Sequence, residues 1–368
     1  MNKSFVLNLI FLICSSFVFC EKNELKVLHL SFHKGCINEL QNIAAALSLN
    51  MESIFIPDLL HYFFDPQSYG NKLYNMGHAR AKRIWEKHKD YFEKFDVIIT
   101  SDTVPLARIF LQNNFKNHLI IWVCNRFDYC DTASLDCDFP DHTYYDLIKN
   151  AAKQNNVTLI AYSPFEKYYA FNKGIDIGQL TIKPCGFIVN KQVETFIPND
   201  INKNETFFIP AYHNNVLFMN LSNKCKNLGI KNYCGKYNGP ADLKGFKGII
   251  NLPGAWSNFA FFENLQLGIA YFVPSINFIN TLNEQGNYFI PDSNYFFDLK
   301  QYELSDWYAK ENKDLITYFD SWNDLKNKIE NTDFIDLNKK INRFMQKHKK
   351  EMIYRWGSVF AKIKNISL

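Results

Sequence analysis

The sequence lacks the features that mark several large classes of protein. Its 41 basic residues are nearly matched by 37 acidic ones, so the net charge is only +4, and no nucleic-acid partner is expected because such binding needs a clustered basic surface. No internal repeat or low-complexity stretch occurs, which argues against a fibrous or disordered chain. Beyond the N-terminal segment there is no long apolar run, and this excludes a multi-span membrane protein.

Patterns that bind metal ions are also missing. The nine cysteines include no Cys-x-x-Cys pair, so a structural zinc site is not expected. Asp136 and Asp138 have the Asp-x-Asp spacing, but they stand in a Cys-rich loop before Pro140 and are interpreted as structural. The sequence therefore predicts no bound metal.

The cysteines outside the N-terminal segment allow one local disulfide. Seven cysteines follow the N-terminal segment, an odd number that leaves at least one unpaired in a monomer. Cys124, Cys130 and Cys137 stand close together. One local disulfide among these three is predicted if the chain matures in an oxidising compartment.

The N-terminus has the pattern of a secretory signal. Lys3 is followed by an uncharged run over residues 5–20, so residues 1–20 are predicted to be a signal peptide. The run is shorter than the ~20 residues of a spanning helix, but an uncleaved signal-anchor with membrane association remains an alternative. The expected location is the secretory pathway, in the lumen of the endoplasmic reticulum or Golgi, or else the periplasm or extracellular space. Asn-x-Ser/Thr sequons, which weakly support a glycoprotein, begin at Asn156, Asn204, Asn220 and Asn365.

Short β-type runs alternate with helical stretches, the pattern of α/β domains with parallel sheets. The alternation breaks over 186–206, a polar stretch with Gly186 and Pro198 that is interpreted as a linker. We therefore predict an N-terminal α/β domain at 24–185, a C-terminal α/β domain at 207–335, and a helical segment at 336–368. Ligands of parallel sheets bind at the carboxyl ends of strands, so a cleft between the two domains is the expected site.

The segment after residue 248 carries the strongest local signal. A strand ending at Leu252 leads through a tight Pro253-Gly254 loop to Ser257, which is predicted to cap the next helix. The positive end of a helix suits a diphosphate. Glu263 follows about two turns into that helix, where a carboxylate could accept hydrogen bonds from ribose hydroxyls.

This segment resembles the nucleotide-sugar-binding half of glycosyltransferases with the GT-B fold. The resemblance covers residues 230–280 at the level of motifs and the rest of the chain only in topology. It implies two Rossmann-like domains facing each other across a cleft, with a last helix that crosses back to the first domain. It also implies transfer of a sugar from a nucleotide-sugar donor to a glycan or glycoprotein acceptor, with neither a metal nor a cofactor. The matching residues are Pro253, Gly254, Ser257, Glu263, Gly268, Pro274 and Ser275.

The resemblance also implies roles for individual residues. The candidate donor-binding residues are Pro253, Gly254, Trp256, Ser257, Asn258 and Glu263. Ala255 stands where retaining members carry a second acid, so the stereochemical outcome stays open. The candidate phosphate contacts are His213, Lys236 and Arg126.

In the first domain, two residues that follow predicted strands are candidate catalytic groups. His33 follows the first strand, where a general base would face the acceptor hydroxyl, and histidine is near its neutral form at pH 7. Asp102 follows a later strand and is expected to face the same cleft.

Two other functions fit the same pattern. A secreted two-lobed solute-binding protein would also combine a signal peptide with two α/β lobes. A catalytically degenerate glycosyltransferase would keep the fold and lose the reaction, as the missing second acid and the uncertain cationic residues allow.

Overall fold

The computed structural model describes residues 24–59, 76–129, 142–188, 195–215, 219–286 and 301–366. The predicted signal segment, Cys130, Cys137, Asp136 and Asp138 lie outside these residues. Within the described part of the chain, no helix is both long and apolar enough to cross a membrane.

The first half of the chain forms a parallel five-stranded sheet with the order β2-β1-β3-β4-β5. Its strands are β1 (Lys26–Ser31), β2 (Asn50–Phe55), β3 (Val97–Ser101), β4 (His118–Val123) and β5 (Val157–Ala161). The central strands β3 and β4 are buried along their whole length, as expected for strands covered on both faces. The helices are α1 (Lys34–Leu47), α2 (His78–Phe92), α3 (Arg108–Leu111), α4 (His142–Ala151) and α5 (Pro164–Asn172).

The second half repeats this architecture. A two-stranded antiparallel pair, β7 (Asn214–Asn215) and β8 (Met219–Asn220), stands apart from the main sheet. The main sheet is parallel with the order β12-β11-β10-β6-β9. Its strands are β6 (Phe207–Pro210), β9 (Asn232–Gly235), β10 (Gly248–Ile250), β11 (Tyr271–Pro274) and β12 (Ile316–Phe319). The helices are α6 (Leu221–Asn227), α7 (Phe259–Gln266), α8 (Ile276–Glu284), α9 (Trp322–Asn331) and α10 (Phe334–Ile366).

Both main sheets therefore have the same connectivity. When the strands of each main sheet are numbered along the chain within their own half, both sheets have the spatial order 2-1-3-4-5. The direction in which successive strands are added reverses between the first and third strands. Ligands of open parallel sheets bind at such switch points, outside the carboxyl ends of the strands. The switch points are β1/β3 in the first half and β6/β10 in the second.

The last helix joins the two halves, as the resemblance implied. Near its start, Asn338 Nδ2 donates to the Gly268 carbonyl in the second half. Near its end, Trp356 is fully buried against Trp122 of β4. The α/β fold class with two sheets and a C-terminal helix is confirmed by this arrangement.

One detail of the sequence prediction needs correction. Asn258, rather than Ser257, caps α7, because its Oδ1 accepts from the Ala260 N–H at 2.8 Å. The segment after β3 forms a 3-10 turn at Val104–Ala107, and α3 then covers only Arg108–Leu111.

Candidate active site

The carboxyl ends of the two sheets face a common cavity of ≈340 Å³, within the range of ~300–1,000 Å³ typical of small-molecule pockets. The first half contributes the residues that follow β4 and those of α5. The second half contributes the residues that follow β6 and β10. The lining consists of Cys124, Asn125, Arg126, Tyr129, Phe165, Glu166, Tyr212, Gly254, Ala255, Trp256, Ser257, Asn258 and Trp307.

His33 is held between the two halves beside this cavity. Its backbone is the N-cap of α1, and its Nδ1 accepts from the Gly35 N–H at 3.1 Å. Its ring stacks on Phe259, the first residue of α7, with the ring centroids 5.4 Å apart. The candidate base of the first half therefore contacts α7 of the second half directly.

Asp102 lies close to His33. Its φ of 74° places it in the left-handed region, an uncommon conformation for a residue other than glycine that often marks functional sites. Burial raises the pKa of Asp102 to about 7, and the Cys36 thiolate adds to this, while His33 opposes it. The pKa of His33 is raised in turn, first by its hydrogen bond with Cys36 and then by the carboxylates of Asp102 and Glu263.

Glu263 approaches the same group from α7. Burial raises its pKa to about 7, and the nearby His33 opposes this shift. His33, Asp102 and Glu263 therefore form a titratable cluster, although none of these three described residues belongs to the lining of the cavity itself. Cys124 connects the two regions, because it lines the cavity and interacts with Cys36 and Asp102.

The predicted donor loop forms one wall of the cavity. Pro253 is buried and Gly254 is half-buried. The ring of Trp256 lies against Phe165 of the first half, with centroids 3.8 Å apart and planes 6° from parallel. The Ser257 hydroxyl donates to a carboxylate oxygen of Asp306. The loop is thus held by an aromatic contact at Trp256 and by a hydrogen bond at Ser257.

The three predicted phosphate contacts differ in position. Arg126 lines the cavity, with its guanidinium carbon 5.5 Å from the centre of the Tyr129 ring. Lys236 is exposed after β9. His213 does not supply the expected positive charge, because burial lowers its pKa to about 4 and its Nε2 accepts from the Leu252 N–H at 3.1 Å.

An ion pair that the sequence did not reveal fixes the predicted donor loop. Asp306 is fully buried, and its Oδ1 lies 2.6 Å from Nζ of Lys183, which belongs to the segment after the first sheet. Lys183 also contacts Glu311 at 2.9 Å. Asp306 thus joins Ser257 of the loop to the first half of the molecule. It lies far from Ser257 in sequence and in no recognisable motif, so no local pattern could have indicated it.

Glu166 is a second unpredicted residue of the cavity wall. It closes a capping box at the start of α5, where its Oε2 accepts from the Ser163 N–H at 2.8 Å and from the Ser163 hydroxyl. Burial raises its pKa to about 7. The Ser163-x-x-Glu166 spacing was the signal that could have indicated this role. Among the described residues, no cluster of His, Cys, Asp and Glu could hold a metal ion.

Among known proteins, the chain has matches only to solved structures. No family model and no curated protein matches the chain. The chain is similar to the glycotransferase of kitacinnamycin, with 9% identity over 93% of this chain and 99% of that chain and a TM-score of 0.49. It is also similar to the glycosyltransferase SnogD from Streptomyces nogalater, with 7% identity, 92% and 100% coverage and a TM-score of 0.47. Arabidopsis thaliana UGT89C1 complexed with UDP-L-rhamnose shows 8% identity, 93% and 100% coverage and a TM-score of 0.48. Because these sequence identities and TM-scores are low, the function has to be inferred from the residues of the cleft.

Proposed function

We propose that this protein is a glycosyltransferase of the GT-B type, which moves a sugar from a nucleotide-sugar donor to a hydroxyl of a glycan or glycoprotein in the secretory pathway. The observation that carries the proposal is the meeting of two switch points at one cleft. The switch point of the first sheet places His33 and Asp102 at the cleft. The switch point of the second sheet places there the loop with Trp256 and Asn258 and the helix that carries Glu263.

The residues divide the chemistry between them. His33 takes the proton from the acceptor hydroxyl at Nδ1, in place of the hydrogen bond from the Gly35 N–H, as that oxygen attacks the sugar carbon. Asp102 lies beside His33 and stabilises the imidazolium that forms, since a nearby carboxylate favours the charged ring. On the donor side, Asn258 begins α7, whose positive end would stabilise the leaving diphosphate.

Positive charge for the diphosphate comes from the first half of the molecule in this proposal. Arg126 is the cation among the residues that line the cavity, and a guanidinium can bind a phosphate through two parallel hydrogen bonds. The interdomain position of the donor explains why the loop itself carries no lysine or arginine. Glu263 is proposed to accept hydrogen bonds from the donor's ribose, at a position adjoining His33.

Ligand-induced stabilisation tests the proposal. The full chain would be heated with UDP, GDP or CMP and with their sugar conjugates. A ligand at 100 times its dissociation constant adds about 2.7 kcal/mol of stability, which a thermal-shift assay resolves. Glu263→Ala should abolish the shift, while Glu284→Ala, which removes an exposed carboxylate at the end of α8, should retain it.

The other outcomes separate the alternatives. Stabilisation by a nucleotide sugar without transfer to any hydroxyl acceptor, and without hydrolysis of the donor, would identify a degenerate glycosyltransferase. If no nucleotide stabilises the chain but free sugars or other small solutes do, the protein is a solute-binding protein and the transferase proposal fails.

A further inference from the structure

Two cysteines from distant parts of the chain meet at the edge of the cleft. The Sγ atoms of Cys36 and Cys124 are 3.9 Å apart. Cys36 is the third residue of α1 and is fully buried. Cys124 directly follows β4, is half-buried and lines the cavity. One residue of the pair therefore lines the cleft, and the other lies behind it.

The surroundings of Cys36 favour its thiolate. It stands in the first turn of α1, and helix N-termini stabilise thiolates. Burial opposes ionisation, but hydrogen bonds with Cys124, His33 and Ser101 outweigh it and lower the pKa of Cys36 to about 6. Burial and the neighbouring Cys36 raise the pKa of Cys124. The pair thus loses its first proton more readily than an isolated thiol does, and the proton that remains is shared between the two sulfur atoms.

We propose that Cys36 and Cys124 form a reversible disulfide at the edge of the cleft, made by exchange with a low-molecular-weight disulfide such as glutathione disulfide. A disulfide needs an S–S separation of ~2.05 Å. The two sulfur atoms, at 3.9 Å, are already in van der Waals contact. This pairing differs from the local one expected among Cys124, Cys130 and Cys137.

The exchange has two steps. In the first step the Cys36 thiolate takes up the shared proton, so that Cys124 becomes the thiolate. Cys124 then attacks glutathione disulfide, forms a mixed disulfide and releases one glutathione thiolate. Cys36 then gives its proton to the adjacent His33 ring, and its thiolate attacks Cys124 Sγ, which expels the second glutathione thiolate. Both glutathione thiolates take up the two thiol protons, so the sum is one protein disulfide and two reduced glutathione molecules.

The bond would alter the cleft in a defined way. It ties the first turn of α1, next to His33, to the loop that carries Asn125 and Arg126. It also removes the Cys36 group that hydrogen-bonds to His33. Oxidation would therefore change the proton affinity of His33, a readout independent of whether the proposed transfer reaction occurs.

Thiol mapping tests the inference. The full chain would be equilibrated in glutathione buffers from fully reduced to fully oxidised, quenched with acid, alkylated, digested and analysed by mass spectrometry. Cys36 and Cys124 should lose their reactivity together at one midpoint, and a Cys36–Cys124 linked peptide should appear, lighter by the two thiol hydrogens. Cys185 and Cys225, both buried elsewhere, serve as internal controls and should stay reduced.

Variants make the result decisive. In Cys36→Ser, Cys124 should stop at a glutathione adduct, because no resolving thiol is present. In Cys124→Ser, Cys36 should remain a thiol throughout, because it is shielded from the oxidant. A linked peptide between Cys124 and either Cys130 or Cys137, or separate midpoints for Cys36 and Cys124, would overturn the inference.

Discussion

Replacing Lys183 by methionine would test how the donor loop is fixed. Lys183 and Asp306 form an ion pair at 2.6 Å, with 11% and 0% of their side chains exposed. Methionine keeps most of the length and apolar surface of the lysine but removes the charge. Asp306 would then be a buried carboxylate whose remaining side-chain donor is the Ser257 hydroxyl.

The expected loss follows from burial. Removing one partner of a buried ion pair leaves the other uncompensated and typically costs about 3–5 kcal/mol. Lys183 keeps some contact with solvent, and its second partner Glu311 is 53% exposed, which places the expected value near the lower end of that range. A surface pair at the same distance should behave quite differently, because solvent screens it and its net contribution is small.

Urea unfolding measures the difference. Lys183→Met should shift the unfolding midpoint strongly downward, and adding Asp306→Asn should recover part of the loss by neutralising the stranded carboxylate. Lys340→Met is the matched control, since it breaks an exposed pair with Asp336 at 2.7 Å and should leave the midpoint close to wild type. If both single variants unfold at the same urea concentration, the Lys183–Asp306 pair does not hold the two halves together as argued.

Three further predictions concern the cleft and its supports. His33→Asn should lower kcat by roughly 10²–10⁴-fold if His33 is the general base, with donor-induced stabilisation retained; unchanged turnover would assign the base elsewhere. The pKa of Glu166 is raised from 4.5 to about 7, so its contribution to stability is complete below about pH 4.5 and is lost as the pH rises through 7. Between pH 5 and pH 8 this loss of unfolding free energy amounts to at most about 3 kcal/mol. Glu166→Gln, which can still accept from Ser163, should remove it, as measured by urea unfolding at the two pH values. Gly186→Ala should destabilise the fold more than Gly178→Ala, because both have positive φ (75° and 81°) but only the added Cβ at Gly186 would meet a backbone oxygen, that of Phe262, at 2.5 Å; equal unfolding midpoints would contradict this.

Regular elements could be predicted because each depends on neighbouring residues. Strand β1, which ends at Ser31, and strand β6 at Phe207–Pro210 both coincide with short apolar runs of the sequence. Gly229 and Gly268 each follow the C-cap of a helix with φ near 75°, a conformation that costs glycine little and makes such helix ends readable from the local sequence.

Short or competing signals were harder to interpret. Strand β12 at Ile316–Phe319 has only four residues and follows a turn-rich stretch, so its pattern is too short to distinguish it from its surroundings. Ser257 and Asn258 are both good caps, and local preference does not separate them. Tertiary contact decides the matter, because the Ser257 hydroxyl is engaged by Asp306 while the Asn258 side chain remains available to Ala260.

The candidate site divides in the same way. His33 and Asp102 could be singled out because the residues that follow strands of a parallel sheet meet at one edge. Their chemistry depends on groups brought from elsewhere: Cys36 and Glu263 raise the pKa of His33, and Phe259 holds its ring in place. Two of these three come from α7 in the other half of the molecule. The proton affinity of the proposed base therefore depends on how the halves are held together, so a variant that loosens Lys183 from Asp306 should also shift the pH dependence of any reaction that uses His33.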